Sequence, residues 1–260
     1  GFLSAVSETG DYADAATSRL GNEYQCLVHG LNIKKYPMCY STHRTIDGML
    51  ALKQRYSFEA ESVAKVETVM GVTQSKILRN HEPKTALEAK FSEEFAMASA
   101  VIAGKVGFAE LTDEFVLRAD VQALMTKVTN DTTDARDPDD PVMAPDESVT
   151  VTLHSGEQFK KVVQYARGHA KSPLETSDLW QKFKDCTEST HSLEGATHFF
   201  NALLAAKPRA CKACNGVFFC CNRHGAHAVG GVGAFDQAFM ASIWHIGDLG
   251  DAGVLECVKD

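Results

Sequence analysis

The sequence predicts an α+β fold in which a mixed α+β domain of the lid type is inserted between segments of an all-helical domain. Three observations predict it. Apolar residues recur at helical spacing over residues 45–52, and residues 95–103 are small and apolar on nearly every side, which is typical of a buried helix. Residues 148–153 alternate apolar and polar side chains, and residues 158–166 return after a turn, as a β-hairpin does. Residues 178–186 then read as a helix again.

This pattern divides the 260 residues into three parts. Residues 1–31 are interpreted as the end of a helical domain, and residues 32–172 as the inserted α+β domain. Residues 173–260 return to the helical domain and carry an atypical tail, rich in Cys, His and Gly, from about residue 207. An insert of this kind often acts as a lid over a binding site.

In chain order, the first predicted element of the insert is a helix that begins at Ser41 or Thr42, because either hydroxyl is a good N-cap. Residues 61–70 place valines among charged residues before Gly71, which favours a strand. Ser92 is predicted to cap a second, buried helix that carries two acidic residues in its first turn.

The remaining elements are less regular. A short helix is predicted over residues 120–128. Residues 130–147 hold seven acidic residues and three prolines, which predicts a solvated loop; a calcium loop is the alternative, but the glycine that an EF-hand turn needs is missing. After the hairpin and the helix at 178–186, a last helix is predicted over residues 193–206.

Composition excludes several classes of protein. The net charge of -8 argues against a general nucleic-acid binder, and no apolar run is long enough to span a bilayer. The cysteines Cys26, Cys39 and Cys186 stand far apart, so a reducing compartment is expected: the cytoplasm, or the mitochondrial matrix in a eukaryote. Because Gly1 is not a start methionine and no signal peptide follows, we expect a processed chain or a piece of a longer one.

One stretch holds more groups able to bind an anion or move a proton than any other. It reads Lys34, Lys35, Tyr36, Pro37, Met38, Cys39, Tyr40, Ser41, Thr42, His43 and Arg44. Pro37 keeps the preceding residue extended, so two lysines should lie beside the helix N-terminus, which favours a carboxylate or phosphate. Taken singly, such residues are more often solvated lysines, turn residues and a structural histidine.

Taken together they resemble a known family. A lysine three residues before a proline, an aromatic residue just before it, and Thr-His leading into Ile-Asp-Gly are similar to a signature of the MmgE/PrpD family. Residues 83–114 and 168–186 match two further blocks in order and spacing. This family includes 2-methylcitrate dehydratases, cis-aconitate decarboxylases and iminodisuccinate epimerases. The resemblance covers about residues 1–185, and it corresponds only to the second half of a family member.

The resemblance implies an active site for small di- or tricarboxylates. Lys34 matches the active-site lysine and is expected to bind or protonate a substrate carboxylate, with Cys39 and His43 as the other catalytic candidates. The expected substrate-binding residues are Lys35, Tyr36, Thr42, Arg44 and Lys90. No cofactor and no metal are expected at this site.

Two departures and one gap qualify this expectation. Cys39 stands where the decarboxylases carry a functional histidine, and Phe95 where they carry a tyrosine hydroxyl, for which Tyr36 or Tyr40 would have to substitute. The family's remaining catalytic His, Asp and Lys come from an N-terminal helical domain that this chain does not contain. The implied partners are therefore the small acid and a second chain, either a homodimer partner or one that supplies the helical domain. Neither nucleic acid nor a membrane is expected.

The function indicated is a lyase, first of all a 2-methylcitrate-type dehydratase, with a dicarboxylate epimerase or a decarboxylase as alternatives. All three build negative charge next to a carboxylate, which a cationic cleft stabilises. A different class of function is a non-catalytic fragment or zinc-binding interaction module. Its candidate ligands are Cys211, Cys214, Cys221 and His224, although the gap between the two halves is shorter than usual.

Overall fold

A four-stranded mixed sheet with helices packed against it forms the centre of the chain. The computed structural model describes Ser18, residues 25–205, residues 209–210 and residues 217–218. The helices are α1 (Gln25–Val28), α2 (His43–Tyr56), α3 (Val72–Ile77), α4 (Ala86–Ala89), α5 (Glu93–Ala103), α6 (Asp113–Val116), α7 (Ala119–Met125), α8 (Thr176–Thr187) and α9 (Leu193–Ala205). Short 3₁₀ turns occupy Tyr40–Thr42 and Ala60–Ser62. None of the described helices is long and apolar enough to cross a membrane.

The sheet has the strand order β2-β1-β3-β4. Its strands are β1 (Val63–Gly71), β2 (Val128–Thr133), β3 (Glu147–Leu153) and β4 (Gln158–Val163). β1 pairs in parallel with β2 and antiparallel with β3, which continues into the β3–β4 hairpin. Farther on, Arg209–Ala210 (β5) pairs antiparallel with Val217–Phe218 (β6).

Helices α2 and α5 pack against the sheet and form the core with it. The apolar stripe of α2, with Ile46, Met49 and Leu52, is buried as its helical spacing predicts. Gly48 allows α2 to approach β3 closely, since a Cβ there would lie 3.2 Å from Val149 Cγ2. Helix α5 starts at Ser92, whose hydroxyl accepts a hydrogen bond from the backbone N–H of Phe95 at 3.1 Å.

The segment that leads into α2 is fastened to the loop after β4 and to α8. The backbone N–H of Ile33 donates to the carbonyl of Gly168 at 2.7 Å, and Lys35 Nζ lies 3.2 Å from Asp178 Oδ1 on α8. Arg167 donates a short hydrogen bond to the same carboxylate. Helices α8 and α9 pack on each other through the aromatic side chains Trp180, Phe183, Phe199 and Phe200.

Most predicted elements are confirmed. The α+β class, the strand at 61–70, the hairpin, the Ser92-capped buried helix and the helices predicted over 120–128, 178–186 and 193–206 are all present within one to four residues. The lid-type insertion and the boundaries at residues 31 and 172 stay predictions. Of the helical segment predicted for residues 1–31, only α1 is described as a helix, and the candidate zinc ligands Cys211, Cys214, Cys221 and His224 lie outside the described residues.

Three predictions were wrong in detail. The solvated loop at 130–147 begins as strand β2, whose polar residues carry no strand pattern because the strand lies at a sheet edge. The same loop ends with Glu147, which is only 2% exposed at the start of β3. Thr42 does precede α2, but its hydroxyl does not cap the helix; it donates backwards to the Cys39 carbonyl at 2.9 Å, because a 3₁₀ turn runs directly into α2.

Candidate active site

The extended segment before α2 places Lys34 among other cations. Its side chain is half-buried, and its pKa is lowered, first by burial and then by the positive charges of Lys182 and Lys90, while Cys39 opposes the shift. Lys90 is held nearby because the backbone N–H of Cys39 donates to the Lys90 carbonyl at 2.9 Å. The charges of Lys90 and Lys182, from two other parts of the chain, therefore both act on Lys34.

Lys182 was missed as a site residue by the sequence analysis. It lies on α8, four residues after Asp178, which is bound to Lys35 and Arg167. Residues four apart share one face of a helix, so Lys182 and then Cys186 lie along the same face as Asp178. Burial lowers the pKa of Lys182. Within the described part of the chain, Lys34, Lys90 and Lys182 form no ion pair with any carboxylate.

His43 lies at the start of α2 with no exposed surface. Its ring is placed between Tyr36 and Tyr40, with centroid distances of 5.2 Å and 4.9 Å. Burial, reinforced by the charge of Lys34, lowers the pKa of His43 to about 3, so the imidazole is neutral. The backbone of Met38 approaches the ring and partly offsets the shift, but neither ring nitrogen has a hydrogen bond of normal geometry to a described residue.

The two tyrosines beside His43 differ. The Tyr36 hydroxyl donates to Asp47 Oδ1 at 2.6 Å, and the other oxygen of Asp47 accepts from the backbone N–H of Arg167 at 2.6 Å, so Tyr36 has a structural partner. The Tyr40 hydroxyl oxygen is buried and has no hydrogen-bond partner among the described residues. Burial raises the pKa of Tyr40 to about 12, which keeps the hydroxyl protonated and able to donate.

The other predicted binding residues have protein partners. Lys35 is paired with Asp178, and the Thr42 hydroxyl donates to Cys39 O. Arg44 is 7% exposed, and its Nη1 donates to the Ala144 carbonyl at 2.7 Å. These side chains position the segment that carries Lys34 and Cys39, whereas Lys34, Lys90 and Lys182 form no ion pair with a described carboxylate.

Phe95, which stands at the tyrosine position of the decarboxylases, is fully buried on α5 and packs edge-on against Phe115 with a centroid distance of 6.2 Å. It belongs to the core cluster of the α+β domain. Of the two tyrosines considered as substitutes for its missing hydroxyl, only Tyr40 has a hydroxyl without a partner in the described region.

Two buried carboxyl groups were also missed. Glu93 is 1% exposed, and the Thr45 hydroxyl lies 3.2 Å from its Oε2. Burial raises the pKa of Glu93 well above its ordinary value, and raises that of Glu147 to about 7 although Arg44 opposes the shift. No sequence signal could have found them, because their burial depends on how α2, α5 and β3 meet.

No metal ligand set accompanies these groups. In residues 25–205 and the other described positions, no three His, Cys, Asp or Glu side chains are arranged to hold a metal ion. The groups that the described residues do offer are lysine ammonium groups, the neutral imidazole of His43 and the phenol hydroxyl of Tyr40, which has no partner among them.

Comparison with known proteins agrees with the resemblance seen in the sequence. The chain has no significant match among curated proteins. A family model described as the MmgE/PrpD C-terminal domain matches residues 36–202, which include Lys90, His43 and Lys182 and begin two residues after Lys34. Because this match spans more than half of the chain, the protein belongs to the MmgE/PrpD family.

Proposed function

We propose that this chain forms the C-terminal part of a lyase active site for a small di- or tricarboxylic acid, with a 2-methylcitrate-type dehydratase as the first choice. Members of the MmgE/PrpD family are generally lyases and dehydratases. The observation that carries the proposal is the half-buried Lys34, which has no carboxylate partner in the described structure and whose charge acts on the buried His43. Unpaired ammonium groups on an acidic protein are suited to a polyanionic substrate.

In a dehydration, a C–H bond next to a carboxylate breaks and its electron pair forms a carbon–carbon double bond. The C–O bond to the neighbouring hydroxyl breaks, and the oxygen leaves as water after it takes up a proton. Negative charge builds on the carboxylate side of the substrate as the proton is removed. Lys34 and Lys90 are assigned to hold the carboxylates and stabilise this charge.

Proton transfer needs one acceptor and one donor. His43 is neutral in the unliganded site, so it is assigned as an acceptor. A bound carboxylate would offset the Lys34 charge that depresses its pKa, and would thereby make the imidazole a stronger base. The Tyr40 hydroxyl is assigned as the donor to the leaving oxygen, because it is protonated and unpartnered in the described structure. Cys39, half-buried next to Lys34, is the second candidate for proton transfer.

The site is proposed to be completed by another part of the enzyme. The matched family model is a C-terminal domain. By resemblance, further His, Asp and Lys groups come from an N-terminal helical domain, supplied within one polypeptide or by a partner chain, and the assembly is proposed to be a homodimer. Carboxylate binding can be measured on the present chain, whereas turnover belongs to the complete assembly.

The first test is citrate binding by isothermal titration calorimetry with the wild-type chain, Lys34→Ala and Lys161→Ala. Lys161 is an exposed lysine on β4 and serves as a control for the loss of one positive charge. We expect Lys34→Ala to weaken citrate binding by about tenfold or more, because a charge-assisted hydrogen bond is lost. Lys161→Ala is expected to bind as the wild type does.

A second readout does not depend on affinity. Because the Lys34 charge lowers the pKa of His43, Lys34→Ala should raise that pKa, although burial will still hold it below 6.5. An NMR titration of the His43 ring checks this shift. Unchanged citrate binding together with an unchanged His43 titration in a folded Lys34→Ala variant would rule out the assigned site. In the complete assembly, product analysis distinguishes the three reactions. A dehydratase forms a new double bond, an epimerase inverts a centre, and a decarboxylase releases carbon dioxide.

A further inference from the structure

Two carboxylates join the segment before α2 to the loop after β4. Asp47, on α2, accepts a hydrogen bond from the Tyr36 hydroxyl through one oxygen and from the backbone N–H of Arg167 through the other, both at 2.6 Å. Asp178, on α8, lies 3.2 Å from Lys35 Nζ and accepts a short hydrogen bond from the Arg167 side chain. Lys35 and Tyr36 are therefore each bridged to Arg167, by different acids.

The two bridges lie in different environments. Tyr36 is only 6% exposed, and its partner Asp47 is half-buried. The side chains of Asp178, Lys35 and Arg167 are all partly exposed. Water competes with the bridge through Asp178, whereas the hydrogen bond between Tyr36 and Asp47 is largely shielded from it. We therefore expect the bridge through Asp47 to hold the segment more firmly.

The position of the His43 ring depends on the first bridge. Asp47 follows His43 by four residues, so both lie on one face of α2. The Tyr36 ring packs edge-on against the imidazole at 66°, with 5.2 Å between centroids, and Tyr40 lies on it at 4.9 Å. Neither ring nitrogen has a hydrogen bond of normal geometry to a described residue, and the Tyr40 hydroxyl has no partner there. Of the two rings beside the imidazole, only Tyr36 is anchored by a hydrogen bond in the described structure.

We propose that Asp47 is a positioning residue for His43. By anchoring the Tyr36 hydroxyl, it fixes the aromatic wall against which the imidazole packs and keeps water away from the ring. Asp47 acts through Tyr36 and is not itself assigned a contact with substrate. The inference rests on the proposed function for the catalytic use of His43, whereas the contacts that carry it exist in the unliganded chain.

Four variants separate the geometry of this anchor from the charge of the acid. Asp47→Ala removes both. Asp47→Asn removes the charge but can keep both contacts, since its amide oxygen accepts from Arg167 N–H and its amide nitrogen donates to the Tyr36 oxygen. Tyr36→Phe keeps the ring and the acid and removes only the hydroxyl. Asp178→Ala is the matched control, because it breaks the other bridge to Arg167 and leaves Tyr36 anchored.

The measurement is an NMR titration of the His43 ring in each folded variant without ligand. Water that reaches a buried imidazole raises its pKa, whereas loss of a nearby negative charge lowers it, so the sign of the change identifies the cause. We expect the pKa of His43 to move from about 3 toward 6.5 in Asp47→Ala, and in the same direction in Tyr36→Phe. Asp47→Asn should keep the wild-type value, and Asp178→Ala should change it less than Asp47→Ala does.

An unchanged or lowered pKa of His43 in folded Asp47→Ala overturns the role of Asp47, and so does an equal rise in Asp47→Asn. Because Asp47→Ala leaves two donors unpaired, it can fail to fold. The Tyr36→Phe titration then decides: a raised pKa of His43 supports the role, and an unchanged one overturns it. Failure of the wild-type chain to bind citrate in calorimetry would overturn the proposed function, while the titration would still decide whether Asp47 positions His43.

Discussion

Glu147 shows how strongly burial acts on a single residue. Its carboxyl group is 2% exposed at the start of β3, and both oxygens lack a hydrogen-bond partner among the described residues. Water would stabilise the ionised form, and the protein interior does not, so the pKa of Glu147 rises from 4.5 to about 7 despite the opposing charge of Arg44. Burial is also the main reason that the pKa of Glu93 is raised.

This shift predicts that Glu147 contributes a loss of stability as the pH rises from about 4.5 to about 7. In that window folded Glu147 keeps its proton while the unfolded state has lost it, so its contribution to the free energy of unfolding falls with pH. The lowered pKa of His43 acts in the opposite direction below about pH 6.5, so the Glu147 contribution is measured as the difference between a variant and the wild type. The full effect is at most about 3 kcal/mol. Glu147→Gln cannot ionise, and it should be more stable than the wild type at pH 8 but not at pH 4, as measured by urea unfolding across this range.

Glu157→Gln is the control, because Glu157 lies exposed in the β3–β4 turn. It should keep the pH dependence of the wild type. Glu93 contributes a change of the same sign, so part of the dependence should remain in Glu147→Gln. An identical pH dependence in Glu147→Gln and the wild type would show that Glu147 does not titrate as proposed.

Residues of the site differed in how far the sequence could predict them. Lys34, Cys39 and His43 stand in one short stretch, so their proximity follows from the chain itself. Lys182 and Glu147 are distant in sequence from the groups they meet, and neither has a local pattern that distinguishes it from a solvated lysine or a loop acid. Their environment is created by tertiary packing, which one sequence does not record.

At the scale of elements, Gly168 controls the position of the segment that carries Lys34. It has a φ of +94°, in the left-handed region that favours glycine. A Cβ at this residue would also overlap the carbonyl oxygen of Ile33. The close approach permits the 2.7 Å hydrogen bond from Ile33 N to Gly168 O, one residue before Lys34.

We therefore predict that Gly168→Ala destabilises the protein by at least about 2 kcal/mol, from backbone strain and the displacement of Ile33. It should also weaken citrate binding, because Lys34 moves with the displaced segment. Denaturant unfolding and calorimetry measure the two effects. Citrate binding at wild-type strength in a folded Gly168→Ala protein would contradict the prediction.

Gly156 provides the matched control. Its φ is +89°, but no atom lies within 4 Å of the position that a Cβ would occupy. Gly156→Ala therefore carries the backbone strain without the overlap, and it should cost about 1 kcal/mol. Citrate binding should be unchanged in this variant, since the β3–β4 turn does not contact the lysines.

Elements with an internal pattern were predicted and those without one were not. Helix α5 carries its own cap at Ser92 and a continuous apolar sequence, and β3 alternates, so both follow from local chemistry. Strand β2 is short and polar, and it exists because β1 offers a parallel partner at the sheet edge. The 3₁₀ turn before α2 was likewise missed, because the Thr42 hydroxyl donates backwards to the Cys39 carbonyl instead of capping the helix.

For the whole molecule, burial is unevenly distributed. The core cluster lies in α2, α5, the sheet and the short helices between them. Helices α8 and α9 each bury only one residue, Thr187 and Ala196 respectively, and Leu193 and Leu204 of α9 are exposed. The boundary at residue 172, beyond which the chain is proposed to return to a helical domain, stays a prediction that this contrast makes testable.

We predict from this distribution that α8 and α9 open at a lower free energy than α2 and α5. The two helices contact each other through aromatic side chains but bury only one residue each, and the ion pairs of Asp178 lie partly exposed, where such pairs contribute about 1 kcal/mol or less. Hydrogen–deuterium exchange followed by mass spectrometry should show faster exchange over residues 176–205 than over residues 43–56 and 93–103.

Bound citrate should change this pattern around Lys34. If Lys34 binds the ligand, citrate will slow exchange over residues 33–44, because opening of that segment would have to release a carboxylate. Lys34→Ala should abolish this protection, whereas Lys161→Ala should keep it. Equal protection of α8 and α5 in the free protein would instead mean that residues 25–205 unfold as one cooperative unit, with no domain boundary near residue 172.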